Sequence, residues 1–190
     1  MRVIAGVHRG RRLFGPRGHA IRPTSDRVKE ALFSILGERI TGARVLDLYA
    51  GTGSIGIEAL SRGAAHVTFV EADREALRLV HSNLQQFGLE QSANICASQV
   101  NQFFRRWTEC SGLYDIVFCD PPYHVTPELI ELAKQWDIRW MARDAVVILE
   151  HGGKEKIPST LGPLSQVKRY DYGDTALTRF QITSKETPIA

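Results

Sequence analysis

The segment Val45-Leu46-Asp47-Leu48-Tyr49-Ala50-Gly51-Thr52-Gly53-Ser54-Ile55-Gly56 most narrows what this chain can fold into. It reads as an apolar strand, a glycine turn and the start of a helix. Gly51, Gly53 and Gly56 place a G-x-G-x-x-G pattern at the junction. Glycine lets the chain turn sharply and lets a ligand approach the backbone closely. The hexapeptide alone is a weak signal, and the strand before it and helix after it give it meaning.

The same alternation continues along the chain. Strands are expected over Val45–Tyr49, His66–Val70, Ala93–Ala97, Asp115–Cys119 and Ala145–Glu150. Helices are expected over Ile55–Ser61, Arg74–Phe87, Val100–Trp107 and Pro127–Gln135. Strands alternating with helices imply an α/β fold, with a parallel sheet and right-handed crossovers. The tail from Ser165 to Thr183 alternates apolar and polar residues around Gly173, so a hairpin adds an antiparallel strand at one end. Ahead of the alternation, residues 2–7 read as a strand and Arg11–Phe14 as a second, forming a small β-hairpin about Gly10. Gly15, Pro16 and Gly18 mark a loop. Thr24 or Ser25 can cap a helix with apolar positions Val28, Leu32, Ile35 and Leu36.

Glu71 lies 20 residues after Gly51, at the carboxyl end of the second strand of the alternation. In doubly wound folds an acid there accepts hydrogen bonds from ribose hydroxyls, which points to an adenine nucleoside cofactor. NAD and S-adenosylmethionine both satisfy this pattern. Asp47, four residues before Gly51, favours the second. A carboxylate beside the turn is unfavourable next to a pyrophosphate and suits an amino group and a sulfonium. The turn also lies in mid-chain, after residues that can cover the cofactor.

Asp120-Pro121-Pro122-Tyr123 follows the fourth strand of the alternation. In an open α/β sheet that strand neighbours the first across the switch point, so the tetrapeptide faces the glycine turn. The two prolines fix φ and withdraw two donors, leaving carbonyl oxygens and the Asp120 carboxylate as rigid acceptors. Tyr123 adds a flat ring. The matching substrate is a planar group with an exocyclic amine. Its two N–H bonds go to the Asp120 side chain and the Pro121 carbonyl, and its ring stacks on Tyr123. The reaction is in-line methyl transfer, driven mainly by positioning. A plain strand-end turn is the structural alternative.

Charge divides the 190 residues unevenly. The 24 Lys+Arg and 21 Asp+Glu give a net charge of +3, yet residues 1–22 hold Arg2, Arg9, Arg11, Arg12, Arg17 and Arg22 and no acid. The remainder therefore carries a net −3. Such a basic segment is a candidate contact for a polyanion. The chain accordingly reads as a basic arm over 1–22 and a catalytic domain over 23–190. Cys96, Cys110 and Cys119 show no CxxC and no metal spacing, and Cys96 and Cys119 sit in apolar runs as small core residues. No metal is expected. The chain has no run approaching a membrane span and no apolar h-region behind its basic start, so a cytoplasmic location is expected.

Four segments carry a family resemblance: Arg2–Leu13, Arg22–Leu36, Val45–Ala64 and Asp120–Tyr123, with Tyr172–Leu177 as a fifth likeness in the tail. Through them the chain resembles the class I S-adenosylmethionine-dependent methyltransferases. More narrowly it resembles the bacterial 16S rRNA guanine-N2 methyltransferase family (RsmD-type). The resemblance implies a Rossmann-like, mostly parallel sheet of seven strands with an antiparallel terminal strand and an N-terminal hairpin extension. It implies methyl transfer to the 2-amino group of one guanine in 16S rRNA, on the assembled small subunit, by a monomer. Carried over by motif, Asp120, Pro121, Pro122 and Tyr123 hold the base. Asp47, Tyr49, Gly51, Gly53 and Glu71 hold the cofactor, with Thr24 beside it. Third-strand acids of such enzymes bind the adenine amine; here the region reads Cys96-Ala97-Ser98-Gln99, so Ser98 takes that place. Arg9, Arg11, Arg12, Arg17 and Arg22 are the RNA-binding candidates.

Other activities remain open on sequence alone. An adenine-N6 methyltransferase acting on DNA or RNA shares the Asp-Pro-Pro-Tyr chemistry. A glutamine methyltransferase usually shows Asn where Asp120 stands. An NAD-dependent dehydrogenase needs a general acid–base partner that His81, His124 and His151 do not supply. A non-catalytic RNA-binding module leaves Asp120–Tyr123 without a purpose.

Overall fold

The structure is a computed structural model that describes residues 1–16, 25–106, 113–121, 136 and 138–183. Ser25 opens helix α1 (Asp26–Leu36) by accepting the Val28 amide on its hydroxyl, so of the two expected caps Ser25 is the one used. Then follow β1 (Arg44–Leu48), α2 (Ser54–Ser61) and β2 (His66–Glu71). Helix α3 (Arg74–Phe87) is capped by Asp73, which accepts the Glu75 and Ala76 amides, and is ended by Gly88 at φ 69°. Next come β3 (Ala93–Ala97), α4 (Val100–Arg106), β4 (Tyr114–Cys119) and the long β5 (Met141–Gly152). Short β6 (Thr160–Leu161) and the hairpin β7 (Leu164–Tyr172) and β8 (Thr175–Ile182) are the last of the described elements. The helix expected over Pro127–Gln135 lies outside the described residues.

All eight strands form one sheet in the order β3-β2-β1-β4-β5-β8-β7-β6. The first five are parallel; β8, β7 and β6 join antiparallel. The expected α/β class, parallel core and antiparallel terminal strand are all present. Among the described residues the strand count is eight, not seven. The extra strand, β6, is two residues long and pairs only with β7, too short for any period to reveal it.

Strand alternation splits the core in two. Val45, Val67, Phe69, Ile116, Phe118, Val146 and Ile148 face α1, α2 and α3. Leu46, Leu48, Val70, Val117, Cys119, Val147 and Leu149 face the other way, toward Val100, Phe103, Trp136 and Trp140. Of the two cysteines read as core, Cys119 is buried and Cys96 half-buried.

The N-terminal hairpin is reduced to one antiparallel bridge, Arg2 with Arg12, in which Val3 N–H donates to the Arg11 carbonyl. The strand expected over residues 2–7 does not form. Its amides are drawn instead to the body. Ile4 and Ala5 donate to the Glu58 carboxylate at 2.8 and 2.9 Å, and Val7 to the Ser61 carbonyl. Gly6, at φ 81°, lies so close to Ser61 that a Cβ would stand 1.7 Å from its carbonyl oxygen. Val3 and Leu13 belong to the core shared with α1, α2 and α3. Residues 1–16 are thus a docked layer of the body.

Candidate active site

The parallel register makes the carboxyl ends of three strands level. Leu48 of β1 pairs with Val70 of β2 on one side and with Cys119 of β4 on the other. The sheet order reverses at β1 and β4, the switch point where open α/β sheets bind ligands. The glycine turn, Glu71 and Asp120 therefore converge on one edge.

The turn is shaped by backbone conformation. Tyr49 takes φ 58°, the one described non-glycine residue at positive φ, followed by Gly51 at 54° and Gly53 at 76°. A Cβ on Gly51 would meet nothing within 4 Å, so the space over it is open to a ligand. Gly56 has a different task. A Cβ there would stand 2.2 Å from Phe69 Cε1 and 2.8 Å from Val67 Cγ1, so glycine is what lets α2 lie against β2.

The acids at this edge also hold the scaffold. Gly53, as N-cap of α2, offers no side chain, and Asp47 from β1 supplies the acceptor by bonding the Gly56 amide at 2.9 Å. Glu71 Oε2 accepts the Gly51 amide at 2.7 Å, and Oε1 accepts those of Ala72 and Asp73 at 2.7 and 2.8 Å. Ser98 sits beside it, its amide donating to the Glu71 carbonyl at 3.0 Å.

Burial raises the Asp47 carboxyl well above the usual range; the Gly56 bond opposes this, and the negative charges of Asp120 and Glu71 add to it. Burial also lifts Asp120 to about 6. A site that gathers several carboxyl groups at one edge favours a cationic ligand over a pyrophosphate.

Of the expected base-holding residues, Asp120 and the buried Pro121 stand at this edge, while Pro122 and Tyr123 lie outside the described residues. So do Thr24, Arg17 and Arg22. Arg9 and Arg12 are exposed. Arg11 is exposed too, but it is engaged with the body. It donates to the Gln86 carbonyl at 2.6 Å, lies 4.3 Å from the Phe87 ring centre, and meets His8 Nδ1 at 3.0 Å.

A family model described as conserved hypothetical protein 95 matches residues 1–181. The chain belongs to this family. Ribosomal RNA small subunit methyltransferase D of Escherichia coli is 32% identical over 183 residues, covering 95% of this chain and 89% of that protein. The protein of the same name from Haemophilus influenzae is 35% identical over 150 residues, covering 79% and 78%. The family is therefore the RsmD-type family that the sequence resembles. The solved structure of Escherichia coli yhhF matches with a TM-score of 0.84 at 32% identity, covering 97% of this chain and 99% of that chain. A more distant fold neighbour, SMU.776, was solved complexed with SAH; it is 15% identical, with a TM-score of 0.64, covering 83% of this chain and 49% of that chain.

Sequence reasoning about this family member missed the residues that bind arm to turn. Asn83 of α3 is fully buried. Its Oδ1 accepts the Phe14 amide at 2.7 Å, and its Nδ2 donates to the carbonyls of Phe14 and Thr52 at 3.1 and 3.0 Å. Glu58 of α2, also fully buried, bonds Arg62 at 2.8 Å and lies 3.4 Å from Lys29 Nζ, besides holding Ile4 and Ala5. Lys29 donates to the Arg2 carbonyl at 2.6 Å. The available signal was a polar residue on an apolar stripe. Asn83 falls with Ala76, Val80, Leu84 and Phe87, and Lys29 with Val28, Leu32, Phe33 and Leu36.

Proposed function

We propose that this chain transfers a methyl group from S-adenosylmethionine to the exocyclic N2 amine of a guanine in 16S rRNA, on the assembled small ribosomal subunit, in the cytoplasm. The observation that carries the reading is the convergence of Asp47, the Gly51 turn, Glu71 and Asp120-Pro121 on the level ends of β1, β2 and β4. Membership of a family whose relatives are named small-subunit rRNA methyltransferases supplies the substrate class.

The residues present fit S-adenosylmethionine. Gly51 leaves open space along the turn. Glu71 uses three acceptor positions on backbone amides, which leaves capacity for a ribose hydroxyl. Asp47 sets a buried carboxyl beneath the turn, and a cationic ligand beside it would favour the ionised form that burial alone disfavours. When bound, the cofactor supplies an electrophilic methyl group on a sulfonium.

The chain's own task is to present the amine. Asp120 and the Pro121 carbonyl accept its two N–H bonds and turn its lone pair out of conjugation with the ring. Asp120 also stabilises the positive charge that develops on nitrogen. The amine becomes acidic only once methylated, so Asp120 receives the departing proton without being a strong base. Pro122 and Tyr123 complete the base-holding tetrapeptide, and Arg9 and Arg12 contact RNA phosphates.

Small subunits lacking the modification, incubated with the protein and labelled S-adenosylmethionine, are expected to carry label at N2 of a single guanine. Mapping the methylated nucleotide tests this. Label at adenine N6 would transfer the reading to the alternative that shares the Asp-Pro-Pro-Tyr chemistry.

A further inference from the structure

Phe14 is 53% exposed, yet its backbone is among the most firmly held in the arm. Both its amide and its carbonyl bond Asn83, a side chain with no exposure to solvent. The same Asn83 amide nitrogen reaches the Thr52 carbonyl inside the glycine turn, so Phe14 is anchored directly to the wall of the active site. A surface loop residue normally leaves its backbone to water. Here a buried amide fixes the base of an aromatic ring that faces solvent, within five residues of exposed Arg9 and Arg12. A fixed, exposed ring among cations is the arrangement that grips single-stranded nucleic acid, the ring stacking on a base and the cations meeting phosphates.

We propose that Phe14 is a stacking platform for an unpaired base of the RNA substrate, positioned near the methylated nucleotide by the shared Asn83 bridge. The inference rests on the rRNA methyltransferase reading and adds a recognition residue to it. Stacking is not electrostatic, which separates Phe14 from its neighbours. Losing the ring weakens RNA binding without altering its dependence on salt, whereas losing a phosphate contact flattens that dependence.

The test uses the full chain and small subunits lacking the modification. Phe14→Ala is expected to raise KM for the subunit by about 5- to 150-fold. Phe14→Trp should restore it, and Phe14→Leu should not. The slope of log KM against log salt and the affinity for S-adenosylhomocysteine should match the unaltered protein in every variant. Restoration by leucine would reduce Phe14 to a generic apolar contact and overturn the proposal. So would a loss that appears in cofactor affinity, or a changed salt slope. Should the unaltered protein methylate no RNA, the functional reading itself falls. Should it methylate and Phe14→Ala match it, only the stacking role falls.

Discussion

Asp120 shows how a fold can set the working range of one carboxylate. Its ordinary value lies near 3.8, and burial at the end of β4 lifts it to about 6. In the proposed reaction the protonated acid would be a poorer acceptor and could not offset charge developing on the amine, so methyl transfer would require the ionised form. The single-turnover rate is therefore expected to rise about tenfold per pH unit below about pH 6 and to level off above it. Asp120→Asn keeps the shape and one acceptor oxygen but removes the charge, and its rate should be pH-independent and lower by on the order of 100-fold. A pH–rate profile of the two proteins measures both effects. The identity of Asp120 was legible in the sequence, because two prolines after an apolar strand leave little else for that acid to do. Its raised pKa was not, since burial arises from packing. Asp47 and Glu71 were likewise legible as acids at the carboxyl ends of neighbouring strands, beside the glycine turn. Their bonds to the Gly56, Gly51, Ala72 and Asp73 amides were hidden, because each depends on where a neighbouring backbone turns.

At the scale of elements, the sequence was most legible where one period governs a long stretch. Helix α3 and strand β3 have their expected bounds, and α1 starts at an expected cap. The arm was least legible. Its apolar residues read as a strand, but a strand must find a partner for its amides, and here the partner is a carboxylate 54 residues away in sequence. Glu58 gathers the Ile4 and Ala5 amides, Arg62 and Lys29 in one buried cluster. Burial lowers the Lys29 pKa, and the charge of Glu58 opposes that shift and keeps the ammonium form accessible. Glu58→Ala leaves Lys29 without its counter-charge and two amides without acceptors. Removing one partner of a buried pair costs about 3–5 kcal/mol. For a chain of this size that lowers the melting temperature by roughly 6–20 °C. Thermal unfolding reads the loss. Trypsin should also cut after Arg9, Arg11 or Arg12 in this variant faster than in the unaltered protein, because the arm loses its anchor before the sheet unfolds.

The whole molecule separates its charges along the same division. The body is net negative and places Asp47, Glu71 and Asp120 at the sheet edge; the arm carries positive charge and no acid. Read from the sequence, every arm arginine is equivalent. In the folded chain they are not. Arg11 spends its guanidinium on the Gln86 carbonyl and the Phe87 face, and Arg2 pairs with Asp26 at 3.2 Å, while Arg9 and Arg12 are exposed. Docking of residues 1–16 against α2 and α3 gives the backbone of these two a fixed position relative to the glycine turn, so in the proposed RNA complex their phosphate contacts would set the register of the RNA as well as its affinity. Each contact to RNA phosphate contributes roughly −0.7 to −0.9 to the slope of log affinity against log salt. Arg9→Ala combined with Arg12→Ala is therefore expected to make that slope shallower by about 1.4–1.8, with the melting temperature unchanged. Arg11→Ala should do the reverse: it lowers the melting temperature by releasing the arm from Phe87, and it changes the salt slope by less than either of the other two. Filter binding of small subunits over a range of salt, run beside thermal unfolding of the same variants, separates arginines proposed to grip RNA from the one that holds the arm in place.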